Sequence, residues 1–226
     1  SHFDQPLGQQ FDARHEPSEE HDKVLASLAI GAEPIRKEPR RKQLGLMRKY
    51  LDGMSDNLDL PATFTAVDAD GVPAEWVVAP GADSQRRLLY IHGGAFMMGS
   101  PRSHRNITSR FSELCGVAVL AIDYRLMPEH SRLAGVQDCQ KAYEWMMRNG
   151  PDGQSEPSRV YVAGDSAGGN LSLMMNAWVR DHASRQADAV IALSPVTDLT
   201  MSSPSMLENM ETDAMLGPMF AGLAKV

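Results

Sequence analysis

One serine stands in a setting that suits nucleophilic chemistry. Segment 164–169 reads GDSAGG and places Ser166 in the pattern G-x-S-x-G. An apolar run at 160–163 predicts a strand before it, and a helix is expected to begin after it, near Asn170. On such a sharp turn, small residues two before and two after the serine let neighbouring backbone pass. The pattern predicts that Ser166 is a nucleophile; the alternative is a glycine-rich turn with an idle serine.

A second glycine-rich segment could stabilise negative charge. Segment 92–96 reads HGGAF and directly follows the apolar run 88–91. Backbone N–H groups of such a loop, with the N–H after the nucleophile, hold the oxyanion of a tetrahedral intermediate. The expected members of this oxyanion hole are Gly94, Ala95 and Ala167 as donors and Gly93 as the residue that shapes the turn. His92, at a strand end, is expected to order the loop rather than to transfer protons.

The elements that must position these motifs follow from short apolar runs without alternation. These runs lie at 88–91, 117–122, 160–163 and 190–193, with helical patterns between them at 107–114, 136–147 and 171–179. Strands buried on both faces have such sequences. Two further segments, 63–67 and 75–78, flank Asp70-Gly71, which predicts a hairpin. The sequence therefore predicts an α/β domain with a mostly parallel central sheet flanked by helices.

The first 55 residues differ from the rest. They are rich in charge, and apolar residues recur at helical spacing around Leu25 and again around Met47. Prolines at 17, 34 and 39 predict a division into short helices. Two interpretations stay open for residues 1–55, a solvated helical appendage or a cap over a site. Residues 56–226 are predicted to form the α/β core.

A third motif completes a family pattern. Segment 123–130 reads DYRLMPEH, and together with HGGAF and GDSAGG it resembles the hormone-sensitive-lipase-like branch of the α/β-hydrolases, largely microbial esterases. The resemblance covers about residues 60–220, including SPVTDLT at 194–200 and DAML at 213–216. It implies an α/β-hydrolase fold, an N-terminal helical cap and hydrolysis of small-molecule esters with short or medium acyl chains, without a cofactor. It also implies that Glu129 and His130 brace the loops beside the nucleophile.

A serine nucleophile needs a base and an acid that orients the base, and in this fold they follow the serine along the chain. Only His182 follows Ser166 along the chain. It lies 16 residues later, roughly 24 Å from the serine along the helix, and is therefore too far away to act as the base within one chain. His104 and His130 precede the serine, whereas Asp198 follows a strand and is a possible acid. The resemblance implies that acid and histidine come from beyond residue 226, together with two further strands. The alternative is an incomplete hydrolase-fold protein that binds a small ligand, or an inactive truncation.

Without the two further strands, strand 190–193 would form an exposed apolar edge of a sheet whose strands are expected to be buried on both faces. Its unpaired backbone groups favour pairing with another chain. A homo-oligomer or a swapped dimer that covers this edge is therefore expected. A cleaved C-terminal segment or a truncated chain would also account for the absence of the further strands.

Composition excludes several classes. The 226 residues are 42% apolar and 23% charged, with a net charge of −7, which disfavours nucleic acid as a partner. No apolar run approaches the roughly 20 residues of a membrane span, and we expect no secretory signal. Two cysteines do not suggest a disulfide framework, and the acidic segment 19–22 indicates a solvated helix face rather than a metal site. We expect a cytoplasmic protein.

Overall fold

The structure is a computed structural model that describes residues 17–182, 185–200, 202–204, 208–213 and 215–216. The described residues form two compact units: residues 39–200 are one, and the described parts of 1–38 and 201–226 are the other. Segments 1–16 of the predicted cap and 217–226 of the predicted core lie outside the described residues, as does Ala214 of the DAML segment. The predicted domain boundary at residue 55 stays a prediction.

The larger unit is built around a six-stranded sheet within the described residues. Its strands are β1 (Thr63–Asp68), β2 (Pro73–Val78), β3 (Asp83–Ile91), β4 (Val117–Ile122), β7 (Arg159–Asp165) and β8 (Ala189–Leu193), in the order β1-β2-β4-β3-β7-β8. The first two pairings are antiparallel, and the other three are parallel. A separate short pair joins β5 (Asn149–Gly150) to β6 (Gly153–Gln154). The predicted hairpin and mostly parallel sheet are confirmed.

Helices cover both faces of this sheet, which explains the unbroken apolar runs. The helices of this unit are α2 (Arg40–Gly53), α3 (Arg105–Cys115), α4 (Arg132–Met146) and α5 (Ser166–His182), with a 3₁₀ turn at Arg102–His104. Alternate side chains of β4, such as Leu120 and Val119, point to opposite faces. One face packs against α4 and α5, and the other packs against Ile107 and Phe111 of α3. Every residue of β4 is therefore buried.

Two expectations about helix bounds were wrong. Helix α5 begins at Ser166 rather than near Asn170, because the small residues after the serine are helical but carry no apolar periodicity. Pro34 does not break the N-terminal helix, since it lies inside α1 (Glu19–Lys37), in the other unit. It falls in the last turn, so one backbone hydrogen bond is lost close to the natural end. Ser18 caps the start of α1 by accepting a hydrogen bond from the backbone N–H of His21.

No helix in the described ranges combines the length and the apolar character that crossing a bilayer requires.

Candidate active site

Ser166 occupies a strained turn between β7 and α5. Its φ of 53° lies in the left-handed region, which is costly for a residue other than glycine. A Cβ at Gly164 would lie 2.5 Å from the carbonyl oxygen of Ile91, and one at Gly168 would overlap the same oxygen. The two glycines of the motif therefore let the turn press against the end of β3. This contact brings the serine beside the HGGAF loop, which begins immediately after Ile91.

The HGGAF loop has the backbone of a tight left-handed turn. Gly94, Ala95 and Phe96 have φ values of 115°, 55° and 60°, and the Gly94 carbonyl accepts hydrogen bonds from Met97 and Met98 at 3.0 and 2.8 Å. Within the part of the chain that the structure describes, the N–H groups of Gly94 and Ala95 donate to no protein acceptor. These two predicted donors are thus available for a ligand.

The other two predicted members differ from each other. Ala167 lies in the first turn of α5, where backbone N–H groups have no helical acceptor, and no described residue outside the helix accepts from it. Gly93, by contrast, donates its N–H to Oδ1 of Asp165 at 3.0 Å. Its N–H is therefore engaged, which leaves Gly93 the turn-shaping role and makes it no oxyanion donor.

Asp165 joins the serine turn to the loop, and sequence reasoning missed it. Its Oδ1 accepts hydrogen bonds from Tyr90 Oη at 2.8 Å and Gly93 N, and it lies 3.3 Å from Nε2 of His104. Burial raises the pKa of this carboxyl, but the hydrogen bonds from His104, Tyr90 and Gly93 outweigh burial and lower the pKa overall. The position directly before the serine was the available signal, because it ends β7, next to the end of β3 where the HGGAF loop begins.

His92 is buried beneath the loop. Its ring stacks on Tyr124 with 4.4 Å between centroids, and Nδ1 lies 2.8 Å from the carbonyl oxygen of Gly93. Burial and the neighbouring His104 lower the pKa of His92 to about 3, so the ring is neutral near pH 7. A carbonyl oxygen can only accept a hydrogen bond. Nδ1 of His92 therefore carries the ring hydrogen and donates a hydrogen bond to the carbonyl oxygen of Gly93. This arrangement supports the loop-ordering role over proton transfer.

Within residues 39–200, no described histidine forms a hydrogen bond with Ser166. His182 ends α5, where Nδ1 pairs with the Trp178 carbonyl at 3.1 Å and the ring stacks on the Trp178 indole. His104 contacts Asp165 through one ring nitrogen and Ser103 through the other. His130 is exposed, and the Ser166 hydroxyl has no hydrogen bond to any described residue. No base that bonds to Ser166 is therefore identified within residues 39–200.

Asp198 has a local partner. Its Oδ1 accepts hydrogen bonds from the backbone N–H of Thr200 at 2.8 Å and from the Thr200 hydroxyl. An aspartate that bonds the backbone two residues on stabilises a turn. The role of Asp198 as a triad acid stays a prediction.

One arginine of α2 fastens this helix to the loops of the site. Arg48 binds both carboxylate oxygens of Glu129 at 2.8 and 2.9 Å, and donates to the carbonyls of Met97 and Met127 at 2.7 and 3.0 Å. The hydrogen bonds from Arg48 lower the pKa of Glu129 to about 2. The expected bracing by Glu129 thus works through Arg48, which sequence reasoning missed because 81 residues separate the pair.

Comparisons with known proteins agree with this geometry. A family model for the alpha/beta hydrolase fold matches residues 88–222. The carboxylesterase/phospholipase LipF of Mycobacterium tuberculosis is 37% identical over 155 residues, which cover 67% of this chain and 40% of that protein. Esterase LipU of the same organism is 37% identical over 163 residues, covering 69% and 53%. The chain thus spans about half or less of these relatives.

A solved structure of an esterase has a similar fold. An esterase from the bacterial hormone-sensitive lipase family superposes with a TM-score of 0.77 at 33% identity, with 88% of this chain and 65% of that chain covered. The resemblance drawn from the three motifs is therefore confirmed. The chain belongs to the α/β-hydrolase family and, within it, to the branch that resembles hormone-sensitive lipase.

Proposed function

We propose that this chain carries the nucleophile of a carboxylic-ester hydrolase that acts on short or medium acyl chains. The observation that carries the proposal is the left-handed turn at Ser166, held against the HGGAF loop by Gly164 and Gly168. Strained turns of this kind present a serine hydroxyl above the sheet. The esterase names of its relatives support the same activity.

In the proposed reaction, Ser166 Oγ attacks the ester carbonyl carbon as its proton passes to a histidine. The N–H groups of Gly94, Ala95 and Ala167 hold the resulting oxyanion, and loss of one such donor costs on the order of 100- to 1,000-fold in rate. Return of the proton to the leaving alcohol gives an acyl-enzyme, which water then hydrolyses. The histidine is supplied from outside the described residues. Its acid is supplied from there too, and Asp198 is the alternative acid among the described residues.

A fluorophosphonate tests this proposal. The reagent phosphonylates a serine whose hydroxyl is activated by a base, with fluoride as the leaving group. We expect labelling at Ser166 in peptide maps and none in Ser166→Ala. Labelling confined to other serines would exclude the proposed nucleophile.

A second candidate is a small-ligand binding protein on the same scaffold. It is favoured by the Ser166 hydroxyl, which lacks a basic partner among the described residues. Such a protein would bind esters or acids at the loop without becoming labelled. Binding without labelling is the result that selects this candidate.

We also propose that a second copy of the chain covers the outer side of β8, as a homo-oligomer or a swapped dimer. Among the described strands β8 is an edge, and Leu193 is 37% exposed. Leu173 and Met174 of the neighbouring α5 are also exposed. Light scattering should give an oligomer, weakened by Leu193→Lys and unchanged by Leu114→Lys on α3. A monodisperse 24.8 kDa monomer would contradict this.

We also propose a substrate class, a cellular location and a role for the N-terminal residues. A small-molecule ester is the expected partner, the protein is proposed to be cytoplasmic, and residues 1–55 are proposed to contribute to a cap. Cell fractionation tests the location, and recovery of the protein with the membrane pellet would argue against it.

A further inference from the structure

Arg132 contacts both elements that form the candidate site. It is the first residue of α4, and its guanidinium carbon lies 4.7 Å from the ring centre of Phe96, the last residue of the HGGAF loop. Its Nη2 donates to Oδ1 of Asn170 at 2.8 Å. Asn170 follows Ser166 by four residues, about 6 Å along α5. The cation therefore connects the HGGAF loop to the first turns of α5, the helix that begins at Ser166.

The hydrogen-bonding capacity of Arg132 is only partly used. Its Nε is buried without a partner, and Nη1 donates to no described residue. No carboxylate among the described residues lies within ion-pair distance of it, whereas Arg48, Arg105 and Arg125 each hold a carboxylate through two nitrogens. Nε is covered by protein, so Nη1, which is neither bonded to a described residue nor buried, is the donor that can bind a partner from outside the protein.

We propose that Arg132 selects esters that carry a second, anionic carboxylate, such as monoesters of short dicarboxylic acids. This inference rests on the proposed hydrolase function, for which it names the substrate class. A guanidinium presents its donors in a planar fork that matches a carboxylate. Because the chain has a net charge of −7, its overall field does not attract anions, and the selection must be local.

The test compares two ligands that differ in one charge. Monomethyl glutarate and dimethyl glutarate have the same diacid chain, whose length is comparable to one helical turn, and only the first is an anion at pH 7. Calorimetric titration is done in a Ser166→Ala background, so that neither ester is consumed. We expect the monoester to bind at least about tenfold more tightly, as charge-assisted hydrogen bonds imply.

Variants assign this preference to Arg132. Arg132→Gln should remove the preference and leave the affinity for dimethyl glutarate unchanged, which also shows that the variant is folded. Arg132→Lys should keep part of it, because the charge remains without the fork. Arg180→Gln is the matched control, since it removes a cation near the far end of α5, and it should keep the full preference.

Equal affinity for the two ligands, a preference that survives in Arg132→Gln, or no binding of either ligand would overturn the inference. Fluorophosphonate labelling separates this failure from failure of the proposed function. Labelled Ser166 without an anion preference leaves the hydrolase standing and removes the recognition. An Arg132-dependent preference without labelling leaves the recognition and removes the hydrolase.

Discussion

At the scale of single residues, Gly168 is constrained by its neighbours rather than by its own conformation. A Cβ there would overlap the carbonyl oxygen of Ile91 and crowd that of His92. We expect Gly168→Ala to destabilise the fold by about 1–3 kcal/mol, the usual cost of overpacking. Gly45→Ala is the control, because a Cβ at Gly45 in α2 meets no atom within 4 Å. In urea unfolding, Gly45→Ala should have a free energy of unfolding equal to or above that of the parent.

Asp165 gives a pH-dependent prediction at the same scale. Its folded-state pKa is lowered, so its contribution is present above the unfolded pKa of about 4 and is lost as pH falls through the folded value. We expect Asp165→Asn to cost about 1–3 kcal/mol at pH 7, where the parent carboxylate is ionised and accepts three contacts. The free energies of unfolding of the two proteins should approach each other as pH falls below the unfolded pKa and through the lowered folded-state pKa.

Urea unfolding of both proteins between pH 3 and pH 7 measures this difference. Asp181→Asn serves as the control, since among the described residues that exposed carboxylate pairs with its neighbour Arg180 and with no distant group. A difference between parent and Asp165→Asn that stays constant over this range would show that Asp165 acts through packing and not through its charge.

At the scale of elements, α2 is expected to hold the oxyanion loop in shape. Arg48 connects this helix to the Met97 carbonyl and to Glu129. We expect Arg48→Ala to increase amide hydrogen exchange of residues 94–98 by on the order of tenfold, because local opening becomes easier. Arg110→Ala in α3 removes an exposed ion pair with Glu113 and should leave exchange in this loop unchanged. Unaltered exchange in Arg48→Ala would mean that the loop holds its own shape.

The sequence was sufficient for the elements but not for the contacts between them. Short apolar runs predicted the strands, and the Asp70-Gly71 turn predicted the hairpin, because these patterns are local. The start of α5 was placed too late, since small residues carry no periodicity. The roles of Asp165, Arg48 and Arg132 depend on partners far away in the chain, such as Tyr90 for Asp165. Residue spacing alone does not specify such pairs.

At the scale of the whole molecule, the larger unit assembles a nucleophile turn and an oxyanion loop without a described base. Parallel strands β3 and β7 end side by side, which brings the HGGAF loop and Ser166 to the same edge of the sheet. Loops at the carboxyl ends of parallel strands are the usual place for such sites. The serine turn and the HGGAF loop are the features that this chain shares with its family. Whether a histidine reaches Ser166 decides whether they catalyse hydrolysis.

Hydrolysis of p-nitrophenyl butyrate by the parent and by Ser166→Ala tests the central claim, that Ser166 is the nucleophile of an ester hydrolase. We expect release of p-nitrophenolate by the parent and a loss of at least about 1,000-fold in Ser166→Ala, as in other serine hydrolases. Equal rates in the two proteins, or no hydrolysis by the parent, would contradict it.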